Sequence, residues 1–252
     1  MLVFVAGCSS DNKTTAGAAS SSSQAPKASG PINVFAAASL TEAFNDTQTA
    51  LKTEQPDLSV TYNFGGSGTL VTQIQQGAPA DVIATADTDT MKKLTDGGQV
   101  EPPTTFAKNK LEILVAPGNP KQIKGLSDLS RTDIKVVLCD DTVPAGKYAK
   151  QALSMAGVTV NPVSKEADVK SAVAKVTGGE ADATIVYQTD VTAAGSKGEG
   201  VVIPDNQNVI ATYPIAIVKA TKNHDGAAAF VDSVIHGSGQ AALQKRGFLP
   251  PS

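Results

Sequence analysis

The stretch Leu58-Ser59-Val60-Thr61-Tyr62-Asn63-Phe64-Gly65-Gly66-Ser67-Gly68-Thr69-Leu70-Val71-Thr72-Gln73-Ile74 changes character at its glycines. Its first seven residues, rich in β-branched and aromatic side chains, predict a strand, and Thr69 to Ile74 carries a helical pattern. A strand that passes into a helix through a tight glycine-serine turn is half of a βαβ unit, and it points to an α/β class for the whole chain.

The alternation continues on both sides. Strands are predicted over Ile32 to Ala36, Asp81 to Thr85, Leu111 to Ala116, Ile134 to Leu138, Ala183 to Tyr187 and Val209 to Val218. Between them, Leu40, Ala43, Phe44, Thr47 and Leu51 recur at helical spacing, as do Tyr148, Ala149, Ala152, Leu153 and Ala156. Val169, Ala172, Val173 and Val176 form a third such face, and Phe230, Val231, Val234 and Ile235 a fourth. Gly157 and Gly178-Gly179 stand where left-handed helix caps belong. Asp87 reads as the N-cap of a short helix around Met91 to Leu94, and Asp168 as that of the helix opening near Val169. No period of 20 to 50 residues repeats, so a solenoid is excluded.

Leu111 to Ala116 and Val209 to Val218 flank a central block of about 95 residues, which suits one lobe inserted into another. Two crossing strands then make a hinge. Residues 31–111 with 211–252 read as lobe 1, and 112–210 as lobe 2. A chain of 252 residues is long enough for two such cores.

Composition narrows the partners. The net charge is -3 and the only arginines are Arg131 and Arg246, so there is no basic footprint for nucleic acid. Aromatics make up 4% with no Trp, too few for a stacking surface. Any anion bound here is small.

At the N-terminus, Val5-Ala6-Gly7-Cys8 resembles the lipobox at which bacterial lipoproteins are cleaved and acylated, which makes residues 1–8 a signal remnant and Cys8 the lipidated first residue. Only seven residues precede Cys8 and none is basic, so a start further upstream is expected. Residues 9–30 hold seven serines and no apolar side chain larger than Ala or Pro, the composition of a flexible tether. The body beyond lacks an apolar run of membrane-spanning length. Cys139, in a predicted strand, is expected as a buried thiol without a disulfide partner.

The chemistry is concentrated where strands pass into helices. Ser39 follows the first strand, Gly65-Gly66-Ser67-Gly68 the second, and Val143-Pro144-Ala145-Gly146 the Ile134 strand. Glu166-Ala167-Asp168-Val169 opens a further helix. Helix starts carry unpaired N–H groups and the positive end of the macrodipole, and in open α/β sheets ligands bind at the carboxyl edge of the strands. Several such starts converging on one point hold an anion without any cationic side chain. Each turn alone is an ordinary cap or loop; their joint occurrence carries the reading.

Taken together, Phe35-Ala36-Ala37-Ala38-Ser39-Leu40, Phe64-Gly65-Gly66-Ser67-Gly68, Gly77-Ala78-Pro79-Ala80-Asp81-Val82, Val143 to Lys150 and Ile185-Val186-Tyr187 resemble the molybdate-binding periplasmic proteins that feed ABC importers. The likeness runs in order from about residue 32 to 249. It implies a type II periplasmic-binding-protein fold that holds one oxyanion through two serines, two backbone amides and a tyrosine. On this chain these are Ser39, Ser67, Ala145, Val169 and Tyr187. It further implies molybdate or tungstate as ligand, with a sulfate-type or other oxyanion receptor as the alternative, an ABC permease as partner, a monomer outside the cytoplasm held to the membrane through Cys8, and neither cofactor nor cation site.

About seven charge-assisted hydrogen bonds at roughly 1.5 to 3 kcal/mol each exceed the roughly 8 kcal/mol of micromolar binding even after closure and desolvation costs. None of the five residues offers a carboxylate to accept the proton of a protonated phosphate, so phosphate is expected to be rejected. A serine hydrolase is the enzyme alternative, because Ser67 lies in a strand-to-helix turn; Thr69 stands where the nucleophile elbow needs glycine, and His224 and His236 lie near the C-terminus. Asp87-Thr88-Asp89 and Asp140-Asp141 do not continue into a calcium loop. A tethered interaction protein without a small ligand would leave the four turns unexplained.

Overall fold

The computed structural model describes residues 1–3 and 28–252; Cys8 and the predicted tether up to residue 27 lie outside the described residues. The tether expected to reach Gly30 gives way to the folded body sooner. Ala28 is buried and its N–H donates to Gln55 Oε1 at 3.0 Å, while the Ser29 carbonyl accepts from Asn223 Nδ2 at 2.8 Å. Small residues find partners there that composition does not reveal.

The first lobe contains β1 (Gly30–Ala37), a 3-10 turn (Ala38–Leu40), α1 (Thr41–Glu54), β2 (Leu58–Gly65), α2 (Ser67–Gln75), β3 (Val82–Ala84) and α3 (Thr88–Asp96). The strand β4 (Thr104–Val115) leads to the second lobe. That lobe contains β5 (Val136–Cys139), α4 (Pro144–Met155), β6 (Ser164–Glu166), α5 (Val169–Thr177), β7 (Ala183–Tyr187), α6 (Gln188–Ala194) and β8 (Glu199–Val202). The chain returns through β9 (Ile210–Ile217) and ends in α7 (His224–His236) and α8 (Ser238–Lys245). Among the described residues no helix is long and apolar enough to cross a membrane.

The strands lie in the order β2-β1-β3-β9-β4-β7-β5-β6, with β8 on β4. One parallel triple, β2, β1 and β3, belongs to the first lobe and another, β6, β5 and β7, to the second. β9 joins β3 antiparallel, β4 joins β7 antiparallel, and the two pair antiparallel with each other. The sheet is therefore mixed, because these two strands run between lobes instead of following a crossover helix. β4 pairs with β9 as far as Lys110 and with β7 from Leu111 onward. At that switch Asn208 stands in for a strand neighbour: its side chain accepts from the Leu111 N–H at 2.9 Å and donates to the Leu111 carbonyl at 2.8 Å.

Pro214 lies inside β9, where a missing N–H is costly. Opposite it, the register with β4 shifts between Thr105 and Ala107, so Phe106 is the extra residue of a bulge and the ladder breaks where proline cannot donate. Core aromatics meet on both sides of this bulge. Phe44 packs edge-on against Phe230 at 5.5 Å, and the Tyr213 ring is met by Phe106, Tyr187 and Phe248 at 6.3, 5.7 and 5.4 Å.

The predicted caps are present: Asp87 accepts from Thr90 N–H at 2.7 Å and Asp168 from Ser171 N–H at 2.9 Å. Gly157 and Gly179 take φ of 66° and 77° after their helices. The sequence does not announce β6, β8, the first half of β4, α6 or α8. β6 is three polar residues, β8 is largely solvent-facing, and α6 and α8 are too polar and short for a clear stripe.

Candidate functional site

Parallel strands end at a common edge, and the carboxyl ends of the two triples face each other across a cleft. From the first lobe, β1 runs into the turn bearing Ser39 and β2 into Gly66-Ser67. From the second, β5 is followed by Pro144-Ala145, β6 by Asp168-Val169, and β7 ends on Tyr187. Ser39, Ser67, Ala145, Val169 and Tyr187 all line one small cavity, together with Ala86, Val143, Pro144 and Asp168. All five are buried, Ser39 being the most accessible at 4% exposure.

Each donor is prepared by its local structure. Ala145 is the second residue of α4; Pro144 before it has no N–H, so the Ala145 amide is the first donor of that helix. Val169 opens α5 and Ser67 opens α2, positions whose amides have no intrahelical acceptor. The Ser67 hydroxyl accepts from the Ala86 N–H at 3.1 Å, which leaves its proton for the cavity. Ser39 Oγ is 2.9 Å from Tyr213 Oη, and a solute oxygen that accepts from Ser39 selects the arrangement in which Tyr213 donates. The Tyr187 hydroxyl is buried and has no hydrogen-bond partner among the described residues. Burial keeps this phenol protonated, well above its ordinary range.

Three contributors were not foreseen. Ala86 supplies the amide that orients Ser67, Tyr213 orients Ser39 from inside β9, and Asp190 accepts from the Tyr187 N–H at 3.3 Å. Burial pushes the Asp190 carboxyl up to about 6 against the pull of Lys170. In sequence these residues read as core or helix positions; an alternating strand with one hydroxyl-bearing aromatic was the one available signal for Tyr213.

Charge is balanced across the seam. Lys147 of the second lobe meets Asp87 of the first at 3.1 Å, and Lys170 meets Glu42 at 2.7 Å. Asp168 does bring a carboxylate into the cavity wall, but one oxygen accepts from Ser171 N–H and the other from the Ser171 hydroxyl. The polar groups that Ser39, Ser67, Ala145, Val169 and Tyr187 bring to the wall are donors, and Asp168 is turned to Ser171. His224 pairs with Glu101 and His236 with Asp232, each at 2.9 Å, and neither serves Ser67. Cys139 is a buried free thiol whose ionisation is suppressed by burial and nearby carboxylates. Among the described residues no three His, Cys, Asp or Glu side chains cluster as for a metal ion. Tyr148 packs against the core, as its periodicity predicts.

A wider groove lies at the opposite edge of the first lobe, lined by Pro31, Gly77, Pro79, Asp81, Lys219 and Lys222. Its buried carboxylate, Asp81, is already used by the Asn33 N–H at 2.7 Å and by the Thr221 hydroxyl. Helix starts do not converge there.

Residues 32–249 match the family described as bacterial extracellular solute-binding protein. The chain belongs to this family. Its members work outside the cytoplasm and form a solute-binding class rather than a class of enzymes. The likeness read from the motifs is matched over the whole body: the chain is 38% identical over 241 residues to the molybdate-binding protein ModA of Mycobacterium tuberculosis, covering 93% of this chain and 92% of that one. The fold is shared with the periplasmic molybdate-binding protein of Azotobacter vinelandii, with TM-score 0.76 and 21% identity over 88% of this chain and 100% of that one. It is shared almost equally with the sulfate-binding protein SubI of Mycobacterium tuberculosis, with TM-score 0.74 and 20% identity over 87% and 86%. The two-lobed architecture thus serves more than one oxyanion.

Proposed function

We propose that this protein captures molybdate or tungstate outside the cytoplasm and delivers it to an ABC importer, with Ser39, Ser67, Ala145, Val169 and Tyr187 as the oxyanion-holding residues. The observation that carries the reading is the Tyr187 hydroxyl, a buried donor without a partner among the described residues, in a cavity whose other prepared groups are also donors. A buried polar group in that state calls for an acceptor, and a tetrahedral oxyanion supplies four. The 38% identity to a molybdate-binding relative, against 23% to the sulfate-binding protein of Synechococcus elongatus, favours molybdate over sulfate. Anchoring through an acylated Cys8 belongs to the same proposal and rests on the lipobox and tether in the sequence, and delivery as a monomer rests on the family resemblance.

Calorimetric titration of the full chain with molybdate, tungstate and sulfate tests the ligand. Saturable 1:1 binding of molybdate or tungstate, tighter than that of sulfate, is expected; preference for sulfate would make the protein a sulfate-type receptor. Mass spectrometry of membrane-fraction protein is expected to find a diacylglycerol on Cys8, and an unmodified secreted form would remove the anchor.

A further inference from the structure

Gly66 is the N-cap of α2 with φ -63° and ψ 131°, a conformation open to any L-residue. Its own backbone therefore gives no reason for glycine. The reason lies on the other lobe. A Cβ placed on Gly66 meets the Ala167 carbonyl oxygen at 2.5 Å and Val143 Cγ2 at 3.7 Å, and one placed on Gly68 meets the Thr142 carbonyl oxygen at 3.3 Å. Ala167 cannot easily retreat, because it is held between β6, which pairs with β5, and Asp168, which caps α5. Gly146 makes a contrast: a Cβ there meets the Cys139 and Asp140 carbonyls of its own lobe, so glycine at 146 serves the folding of that lobe.

We propose that Gly66 is a closure-determining position: its missing side chain lets the Ala167 backbone seat against the start of α2 and completes the cavity. Seating brings the amides of α4 and α5 and the Tyr187 hydroxyl to a solute already held by Ser39 and Ser67. The same movement forms the Lys147–Asp87 and Lys170–Glu42 pairs. The inference rests on the oxyanion reading above for its ligand, but not for its geometry.

The test compares the wild-type chain with Gly66→Ala and Gly68→Ala, each titrated with molybdate. It also measures the distance between lobes with spin labels at Asp96→Cys and Glu180→Cys, exposed positions on opposite lobes. Gly66→Ala is expected to keep or slightly raise the ligand-free melting temperature, since alanine fits that backbone and restricts the unfolded chain. It is expected to bind molybdate about 10- to 100-fold more weakly, the scale of an overpacked contact, and to lack the short interlobe distance that the wild type shows with molybdate. Gly68→Ala, with the longer contact, is expected to lose about fivefold or less. Equal affinity and equal interlobe distances in Gly66→Ala and wild type would overturn the inference. If the wild type binds no molybdate, the ligand assignment fails instead. The label distances without solute then still decide closure: a short-distance population in the wild type that Gly66→Ala lacks supports it, and identical distributions overturn it.

Discussion

The two lobes reach the same cavity with different chemistry. The first offers, beside the helix-start amide of Ser67, two hydroxyls whose geometry is set by the protein before any solute arrives: Ser67 accepts from Ala86, and Ser39 is bonded to Tyr213. The second offers the helix-start amides of Ala145 and Val169, which need only their backbone, and the Tyr187 hydroxyl, which has no protein partner among the described residues. Charges divide the same way, with Glu42 and Asp87 on the first lobe facing Lys170 and Lys147 on the second. One half-site is oriented on its own; the other completes it when the lobes meet.

Substitution should break this contrast in a graded way. Removing the Ser67 hydroxyl in Ser67→Ala deletes a donor to a charged oxygen and leaves the Ala86 amide buried without its acceptor. Molybdate affinity should fall by about 10- to 100-fold, and the ligand-free protein should lose about 1 to 3 kcal/mol of stability in denaturant unfolding. Tyr187→Phe should weaken binding by about tenfold or more while leaving ligand-free stability unchanged or higher, because no protein hydrogen bond is lost. A destabilised ligand-free Tyr187→Phe would place this phenol in the core and not in the site.

A smaller effect is expected for Tyr213→Phe, which removes the group that orients Ser39 without removing a donor to the solute. Affinity should drop by about fivefold, roughly 1 kcal/mol, with the 1:1 stoichiometry kept. Loss as large as in Ser67→Ala would give Tyr213 a direct contact with the solute.

The smallest effect on binding is expected at Asp190, whose influence shows in pH dependence. Its carboxyl holds a proton more tightly when folded, at about 6 against an ordinary 3.8, so it stabilises the fold below that ordinary value and the benefit is lost as pH rises through about 6. Asp190→Asn removes this contribution and keeps an oxygen for the Tyr187 N–H. The melting temperature of Asp190→Asn relative to wild type should therefore climb by about a few degrees between pH 4 and pH 6.5. A difference that stays flat would mean that Lys170 already stabilises the carboxylate.

Ser39, Ser67, Ala145 and Val169 were legible as helix starts, whose chemistry is local, whereas Tyr187 is named only by the family resemblance, because neither the helix after it nor its empty hydroxyl shows in the sequence. Serine, glycine and proline at a helix start fix where amides are free, whatever the rest of the fold does. Tyr213, Ala86 and Asp190 act through tertiary contact, and nothing in the order of Ala211-Thr212-Tyr213-Pro214 distinguishes a tyrosine that orients a serine from one that fills a core. The same division applies to the fold. Buried strands such as β7 (Ala183–Tyr187) were read to the residue, whereas β6 (Ser164–Glu166) exists because β5 offers it an edge. Gly66 was read as a turn residue, and only the opposite lobe reveals why no side chain fits there.

The central claim is that donors from both lobes, with the one carboxylate in the wall, Asp168, engaged by Ser171, select a fully deprotonated dianion. Calorimetry of the full chain with molybdate and with phosphate at neutral pH tests it most directly. Molybdate should saturate the site at one equivalent while phosphate at the same concentrations gives no binding heat. Phosphate binding as tight as that of molybdate would contradict the account.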